Sequence, residues 1–347
     1  MPILMPEDSP KRILFIRPSA LGDVCRSVPV VNSLKKQWPN ATIDWLVQTE
    51  FVDAVAAHPA VDNVIPFPRK EMKRWYFPVG LNKTIKFLRL LKAKQYDLAI
   101  DGQGLGRSGL FTWATRAKKR VGSASAREFG WLGYNHKVHV KSEHTVDQML
   151  ALSESAGART IVDMQLYTSA EDSTWWKQYA SGKNINKYAV LAPTSRWKTK
   201  QWPVEGFVSV AKHLQQLGLQ VVLVGAPSEE EQIKELLELD GVVNLLPELT
   251  IGKLMAVVSS ARIVVANDSA ALHIAVGFNR TCIGLFGPTN PRKVGPYKRN
   301  DAVVAAPADY DSIHYRDHSL GSKIMQKIET QSVVDKVNEL LKPENTK

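Results

Sequence analysis

Short apolar runs alternate with helical spacings along almost the whole 347-residue chain. In the first half, runs at 12–16, 42–47, 63–66 and 97–100 have the length and apolar content of buried strands. Between and after them, apolar residues recur at three- and four-residue intervals over 24–37, 50–57, 81–94, 105–116 and 144–156, which predicts amphipathic helices. The second half repeats the pattern. Strands are expected at 188–192, 219–224, 242–245, 263–266 and 281–285, and helices at 204–217, 228–238, 250–260 and 269–277. Such alternation predicts two α/β domains, each a doubly wound parallel sheet. The polar, turn-rich stretch 181–187 reads as a linker between domains at 1–180 and 188–321. Val333, Val334, Val337, Leu340 and Leu341 share one helical face, so segment 322–347 must pack back on the fold.

The strand ends carry the polar residues of interest. Residues 17–23, Arg-Pro-Ser-Ala-Leu-Gly-Asp, leave the first strand and open a helix. They deliver Asp23 to the carboxyl end of a strand, where open parallel sheets bind ligands. Asp23 as a plain helix N-cap explains the same spacing. In the second half, residues 193–203 bring Thr194, Ser195, Arg196, Lys198 and Lys200 to another strand end, a composition suited to phosphate oxygens. Glu229 follows a third strand end, where a carboxylate can meet ribose hydroxyls or simply favour a helix start. Asp268-Ser269-Ala270-Ala271-Leu272-His273 ends a fourth and opens a helix whose free amides face an anion. The competing reading there is Asp268 as a cap and His273 as a packed histidine. Gly287-Pro-Thr-Asn-Pro291 ends a fifth strand. Four consecutive strand ends with this chemistry point to a nucleotide-diphosphate site.

Charge adds a second anion-seeking region. The formal net charge is +11, and from Arg69 to Lys94 nine Lys/Arg face one acid, Glu71. Solvated faces ordinarily mix signs. Segment 66–80, with its prolines, aromatics and clustered charge, reads as a functional loop. Trp75, Tyr76 and Phe77 beside the basic run also allow a single-strand nucleic-acid module, a reading that leaves the second-half cluster unexplained. The two cysteines, Cys25 and Cys282, have no metal-ligand spacing. No Walker loop, GxGxxG after the first strand, GxSxG elbow or HExxH helix is present, which takes support from kinase, dehydrogenase, hydrolase and zinc-protease chemistry. The beginning of the chain lacks a signal-peptide pattern and no apolar run approaches bilayer length, so a cytoplasmic protein able to attach to a membrane surface is expected.

In order and spacing, the landmarks Ser19-Ala-Leu-Gly-Asp23, Asp101-Gly-Gln-Gly-Leu105, Ala126-Arg-Glu128 with Tyr134-Asn135, Lys200-Gln-Trp-Pro203, Gly225-Ala-Pro-Ser-Glu229, Asp268-Ser-Ala-Ala-Leu-His273 and Gly287-Pro-Thr-Asn-Pro291 resemble glycosyltransferase family nine, the ADP-heptose:lipopolysaccharide heptosyltransferases. The resemblance implies a GT-B fold, two Rossmann-like domains facing a cleft. It implies inverting, metal-independent transfer of a heptose from an ADP-sugar substrate to the Kdo–lipid A inner core, with no cofactor and no nucleic-acid partner. Asp23 matches the family's general base and Lys200 the lysine on the donor phosphates. Thr194 and Ser195 match the hydroxyl pair near those phosphates, Glu229 the ribose acid, Leu249 the apolar neighbour of adenine and Asp268 the acid that holds the sugar. Ser269, Ala270, Ala271 and His273 belong to the helix start that holds the diphosphate. Arg69, Lys70, Lys73, Arg74, Gln103, Arg107 and Arg127 are the residues expected to meet an anionic, lipid-linked acceptor at the inner face of the cytoplasmic membrane. The chain departs from the family pattern twice. It carries Asp-Ser-Ala where Asp-Thr-Gly is usual, and its hydroxyl loop is one residue longer, with Trp197. A member using another nucleotide sugar or acceptor, or a sugar-nucleotide epimerase of the same fold, are the alternative readings.

Overall fold

The computed structural model describes residues 9–72, 78–310 and 318–342. The chain divides into two units, Met1–Tyr167 and Thr168–Lys347. In the first, β1 (Arg12–Ile16), β2 (Thr42–Gln48), β3 (Asn63–Phe67), β4 (Leu98–Asp101), β5 (Lys119–Ser123) and β6 (His136–Val138) form a parallel sheet ordered β3-β2-β1-β4-β5-β6. Helices α1 (Leu21–Arg26), α2 (Val28–Gln37), α3 (Pro78–Ala93), α4 (Gly106–Ala114) and α5 (Thr145–Ala156) wind around it. Phe15 of β1 pairs in register with Trp45 and Ile100, and all three are fully buried. Leu14, Ile16 and Leu46 pack instead under Phe87 of α3 and Phe111 of α4. Strand residues buried on both faces are what an apolar run without alternation encodes.

The second unit repeats the plan. After α6 (Ala170–Gly182) come β7 (Tyr188–Ala192), α7 (Val204–Gln216), β8 (Gln220–Leu223), α8 (Lys234–Leu237), β9 (Val242–Asn244), α9 (Ile251–Ser259), β10 (Ile263–Asn267), α10 (Ala270–Gly277), β11 (Cys282–Phe286), α11 (Pro291–Val294) and β12 (Val303–Ala305). The sheet order is β12-β11-β10-β7-β8-β9. Read from the first strand of each unit, this is the same doubly wound topology, reversing between β1 and β4 and between β10 and β7. Ligand crevices open at the carboxyl ends of the strands flanking such a reversal. Those ends are residues 17–20 and 102–105 in one unit and 193–203 and 268–270 in the other. Finally α12 (His318–Met325) and α13 (Thr330–Leu341) bring Met325, Val333 and Val337 into the second core, as the apolar face of that segment requires.

Several elements differ from expectation. The helix expected at 24–37 is two helices meeting at Ser27, because Pro29 sits in the first turn of α2 and has no N–H to continue α1. The helix expected at 50–57 is a 3-10 turn over Thr49–Ala54, and that at 228–238 is a 3-10 turn, Pro227–Ile233, running into α8. The stretch 181–187, expected as a linker, is the end of α6 and the turn into β7. The chain divides ahead of α6, because Trp176 of α6 is buried and donates to the Tyr188 hydroxyl of β7 at 2.9 Å. Of the loop expected at 66–80, residues 73–77 lie outside the described residues, and Pro78 already opens α3.

Candidate active site

In the second unit, one strand reversal gathers most of the expected donor residues. Asn267, the last residue of β10, is fully buried and ties the two crevice loops together. Its amide donates to the Pro193 carbonyl at 2.7 Å and its oxygen accepts from the Trp202 amide at 3.0 Å. Loop 193–203 is thereby held against the start of α10. Lys200 Nζ then reaches Asp268 Oδ2 at 2.6 Å, and Thr289 Oγ1 donates to the same oxygen at 2.9 Å. His273 Nε2 lies 3.8 Å from the other carboxylate oxygen, and Ser195 Oγ is 3.5 Å from the Asp268 carbonyl. Burial pushes the Asp268 carboxyl up, but Lys200 and His273 outweigh it and hold the group well below the usual carboxylate range. Asp268 is therefore ionised and is not the cap of α10. Ser269 occupies the N-cap position without a side-chain cap bond, and its hydroxyl is buried with no partner. Donor amides and an unsatisfied hydroxyl at a helix start suit an anion.

Thr194 and Glu229 sit beside this cluster. Thr194 Oγ1 donates to Glu229 Oε2 at 2.6 Å, and the Ala226 amide reaches the same oxygen at 2.9 Å. The carboxylate thus caps its own turn and still offers its second oxygen. Gly225 allows the approach, since a Cβ there would come within 2.8 Å of Thr194 Oγ1. Leu249 is half-buried just ahead of Thr250, which caps α9.

In the first unit, Asp23 is the third residue of α1, and its Oδ2 accepts from the Ala20 amide at 3.2 Å. It closes the first turn from inside rather than acting as the N-cap. Arg17 lies 3.2 Å from the same oxygen and Arg26 bonds the other. Burial raises the Asp23 carboxyl, and the two guanidiniums more than reverse that, leaving it well below the usual range. Arg17 also donates to the Gly102 carbonyl, linking the β1 and β4 ends. Gln103 Oε1 accepts from the Ser19 amide at 3.2 Å. Asp101 anchors that second loop by accepting from the Gln103 and Gly104 amides at 2.8 and 3.1 Å and from the Tyr134 hydroxyl at 2.5 Å. A cavity of about 210 Å³ opens here, lined by Ser19, Gln48, Arg69, Gln103, Arg107 and Glu128 among others.

Three of the expected acceptor residues, Arg69, Gln103 and Arg107, share that cavity. Lys70 does not; it is exposed and paired with Glu50 at 3.2 Å. Arg127 is exposed and absent from the lining, its amide turned to the Gly104 carbonyl. Lys73 and Arg74 lie outside the described residues. Sequence reasoning assigned no role to Arg17, Arg26 or Thr289. The three-residue step from Asp23 to Arg26 on a helix was a usable signal; the Thr289 contact depends on two strands being adjacent. Among the described residues no group of three or more His, Cys, Asp and Glu side chains is placed to share a metal ion. No helix among them is long and apolar enough to cross a membrane.

Comparison with known proteins agrees with the fold. Residues 84–322 match the profile of Glycosyltransferase family 9 (heptosyltransferase). The chain is 30% identical over 305 residues to lipopolysaccharide heptosyltransferase 1 of Escherichia coli K12, covering 86% of this chain and 94% of that one. Identity to the enzyme of the same name from Salmonella typhimurium is 31% over 304 residues, with 85% and 94% covered. The solved structure of E. coli heptosyltransferase WaaC with ADP superposes with a TM-score of 0.77 at 27% identity, covering 94% of this chain and 99% of that one. The two Rossmann-like units are those of the GT-B fold.

Proposed function

The chain belongs to glycosyltransferase family 9, and from that premise we propose that it transfers a heptose from ADP-heptose to the Kdo–lipid A inner core of lipopolysaccharide. The observation that carries the reading is the ionised Asp268, held by Lys200 and Thr289 at the mouth of an amide-rich helix start. A cation and a carboxylate side by side suit a sugar diphosphate, whose phosphates need positive charge and whose hydroxyls need an acceptor. Lys200, Ser195, Ser269 and the amides of Ala270 and Ala271 take the diphosphate, with His273 behind them. Asp268 takes sugar hydroxyls. Glu229, with Thr194, takes the ribose, and Leu249 lies beside adenine. In the first unit, Arg69, Gln103 and Arg107 line the acceptor cavity, with Lys70, Lys73, Arg74 and Arg127 in the surrounding basic surface.

The reaction is a single displacement. Asp23 accepts the proton of the acceptor hydroxyl as its oxygen bonds to the anomeric carbon. The bond from that carbon to the β-phosphate oxygen breaks, and ADP leaves with the charge that Lys200 and the helix amides stabilise. One displacement inverts the anomeric configuration. The protein's own cations meet the leaving group, so no metal enters the scheme. The enzyme works in the cytoplasm, peripheral to the inner membrane where a lipid-linked acceptor lies.

Incubating the purified protein with Kdo–lipid A and ADP-, UDP- or GDP-sugars tests the reading. A heptosylated product from ADP-heptose alone, inverted at the anomeric carbon by NMR, is expected. Transfer from a different nucleotide sugar would replace the donor assignment. That outcome is the second reading, favoured by Ala270, whose methyl stands where the family pattern has glycine.

A further inference from the structure

Six of the nine exposed large apolar side chains among the described residues of the first unit lie on three adjoining elements, the others being Leu90, Val162 and Tyr167. Leu81 and Ile85 are on α3, Leu110 and Trp113 on α4, and Phe129 and Leu132, 72% and 65% exposed, lie just before and within the turn over Gly130–Gly133. The elements that carry them are neighbours. Arg107, Leu110 and Trp113 make the outward stripe of α4 at three-residue steps. On one side of that stripe Phe111 meets Phe87 of α3, ring centres 5.2 Å apart. On the other, Gly109 lies so close to Gly130 that a Cβ would come within 2.2 Å of the Gly130 carbonyl. Thus α3 and the turn bracket α4, and their apolar side chains continue its stripe. A cavity of about 300 Å³ runs between Thr84 of α3 and Leu110, with Met72, Arg107, Phe111 and Glu128 in its wall.

Lysine and arginine predominate around the surface. Lys83, Lys86 and Arg89 are exposed along α3. The Arg116 guanidinium lies 3.9 Å from the centre of the Trp113 ring, and Lys137 Nζ 4.4 Å from that of Trp131. The acids in reach are engaged: Glu71 with Lys83 at 2.6 Å, and Glu128 with the Gly106 amide at 3.2 Å. Monomeric proteins rarely leave contiguous apolar surface open without a partner. Aromatic and leucine side chains rimmed by lysine and arginine fit the boundary between acyl chains and anionic headgroups, where apolar burial and charge attraction add. A protein partner would need a matching acidic rim and would gain nothing from the position of the surface beside the substrate cavity. That position is informative, because Arg107, Phe111 and Glu128 line both cavities.

We propose that Leu81, Ile85, Leu110, Trp113, Phe129 and Leu132, with the cations of α3, are the surface by which the first unit docks on an anionic lipid bilayer, presenting the Arg69/Gln103/Arg107 cavity to a lipid-linked acceptor. The proposal rests on the lipid-linked acceptor of the functional reading. Its test is co-sedimentation of the full chain with phosphatidylcholine vesicles, with and without phosphatidylglycerol. One variant carries Phe129→Ser and Leu132→Ser; a second carries Lys83→Glu, Lys86→Glu and Arg89→Glu. The unaltered chain binds vesicles that contain phosphatidylglycerol, with a blue shift of tryptophan emission. The serine variant loses at least tenfold in affinity at low and high salt. The charge-reversed variant loses binding at low salt and approaches the unaltered chain at high salt, because exposed charges are screened. Both keep their melting temperature and their turnover on a delipidated Kdo acceptor. Vesicle binding equal in all three proteins, or absent from the unaltered chain, overturns the proposal. So does a dimer in sedimentation velocity that the serine change dissolves, since the surface would then belong to a second copy. Vesicle binding that behaves as stated while no heptose is transferred would overturn the functional reading and leave the surface intact.

Discussion

As the proposed base, Asp23 is held ionised at the expense of basicity. Arg17 and Arg26 keep it ionised and aimed, against a burial that acts the other way. An acid whose folded pKa is depressed adds stability above its unfolded value of about 3.9, and loses it as pH falls through the folded value. The melting-temperature gap between the unaltered chain and Asp23→Asn should therefore be constant from pH 7 to 5 and close below about pH 4. Turnover of Asp23→Asn should drop by about 10²-fold or more, the usual worth of a positioned base. Arg26→Gln removes one lowering charge, so the acid limb of kcat/KM should move to higher pH; an unmoved limb would show that Arg26 does not set the charge state of Asp23. At the proposed donor cluster the two roles given to the ion pair can be tested apart. Lys200→Ala should weaken ADP binding in calorimetry. Asp268→Ala frees the lysine for phosphate, so it should leave ADP affinity unchanged or improved while turnover collapses. Equal losses of ADP affinity in both variants would contradict the division of phosphate to Lys200 and sugar to Asp268.

Between α4 and the turn over Gly130–Gly133, backbone meets backbone. A Cβ at Gly133 would stand 2.0 Å from the Gly109 carbonyl, and neither side is a flexible side chain that can yield. Gly133→Ala should cost about 1–3 kcal/mol, the scale of overpacking, read as a lower denaturant midpoint. It should also weaken vesicle binding, because Phe129 and Leu132 ride on that turn. Such contacts are invisible in the sequence, and so were the elements around them. The strands β5, Lys-Arg-Val-Gly-Ser, and β6, His-Lys-Val, carry too few apolar residues to stand out, being positioned by a sheet already built on β1 and β4. By contrast β1, β4, β7 and β10 are nearly continuous apolar runs, and each was legible with its polar exit loop. That is why Asp23, Lys200 and Asp268 stand at strand ends as expected, since a side chain just past a legible strand is placed by the strand. Arg127 and Lys70 lie outside the cavity lining, because positive charge says nothing about where a long side chain points. Thr289 was missed because its partner Asp268 comes from another strand end, and Arg17 because only the folded turn brings it onto Asp23.

The molecule is two copies of one topology put to different uses. Each sheet reverses once, and each reversal gathers a carboxylate and cations at strand ends: Asp23 with Arg17 and Arg26, and Asp268 with Lys200. Surroundings then divide the labour. The first unit adds an apolar surface with a mainly basic fringe, whereas the second adds hydroxyls and a helix start suited to phosphate. Each unit also closes its own core. The α12 and α13 helices seal the second under Trp202, whose indole N–H donates to the Ile328 carbonyl at 3.0 Å. A nucleotide held only by the second unit must therefore stabilise that unit's local openings. At ADP near 100 times its dissociation constant the gain is about 2.7 kcal/mol, or about a hundredfold slower exchange for amides that open only when the ligand leaves. Hydrogen exchange on the full chain with ADP should show that slowing across residues 193–203 and 268–277, with β8 and β11 following through the shared core. Amides of α1 and of the Gly102–Leu105 loop should keep their rates, since the proposal gives the nucleotide to the second unit. Protection centred on residues 17–26 instead would put the nucleotide in the wrong unit and undo the assignment of donor and acceptor sides together.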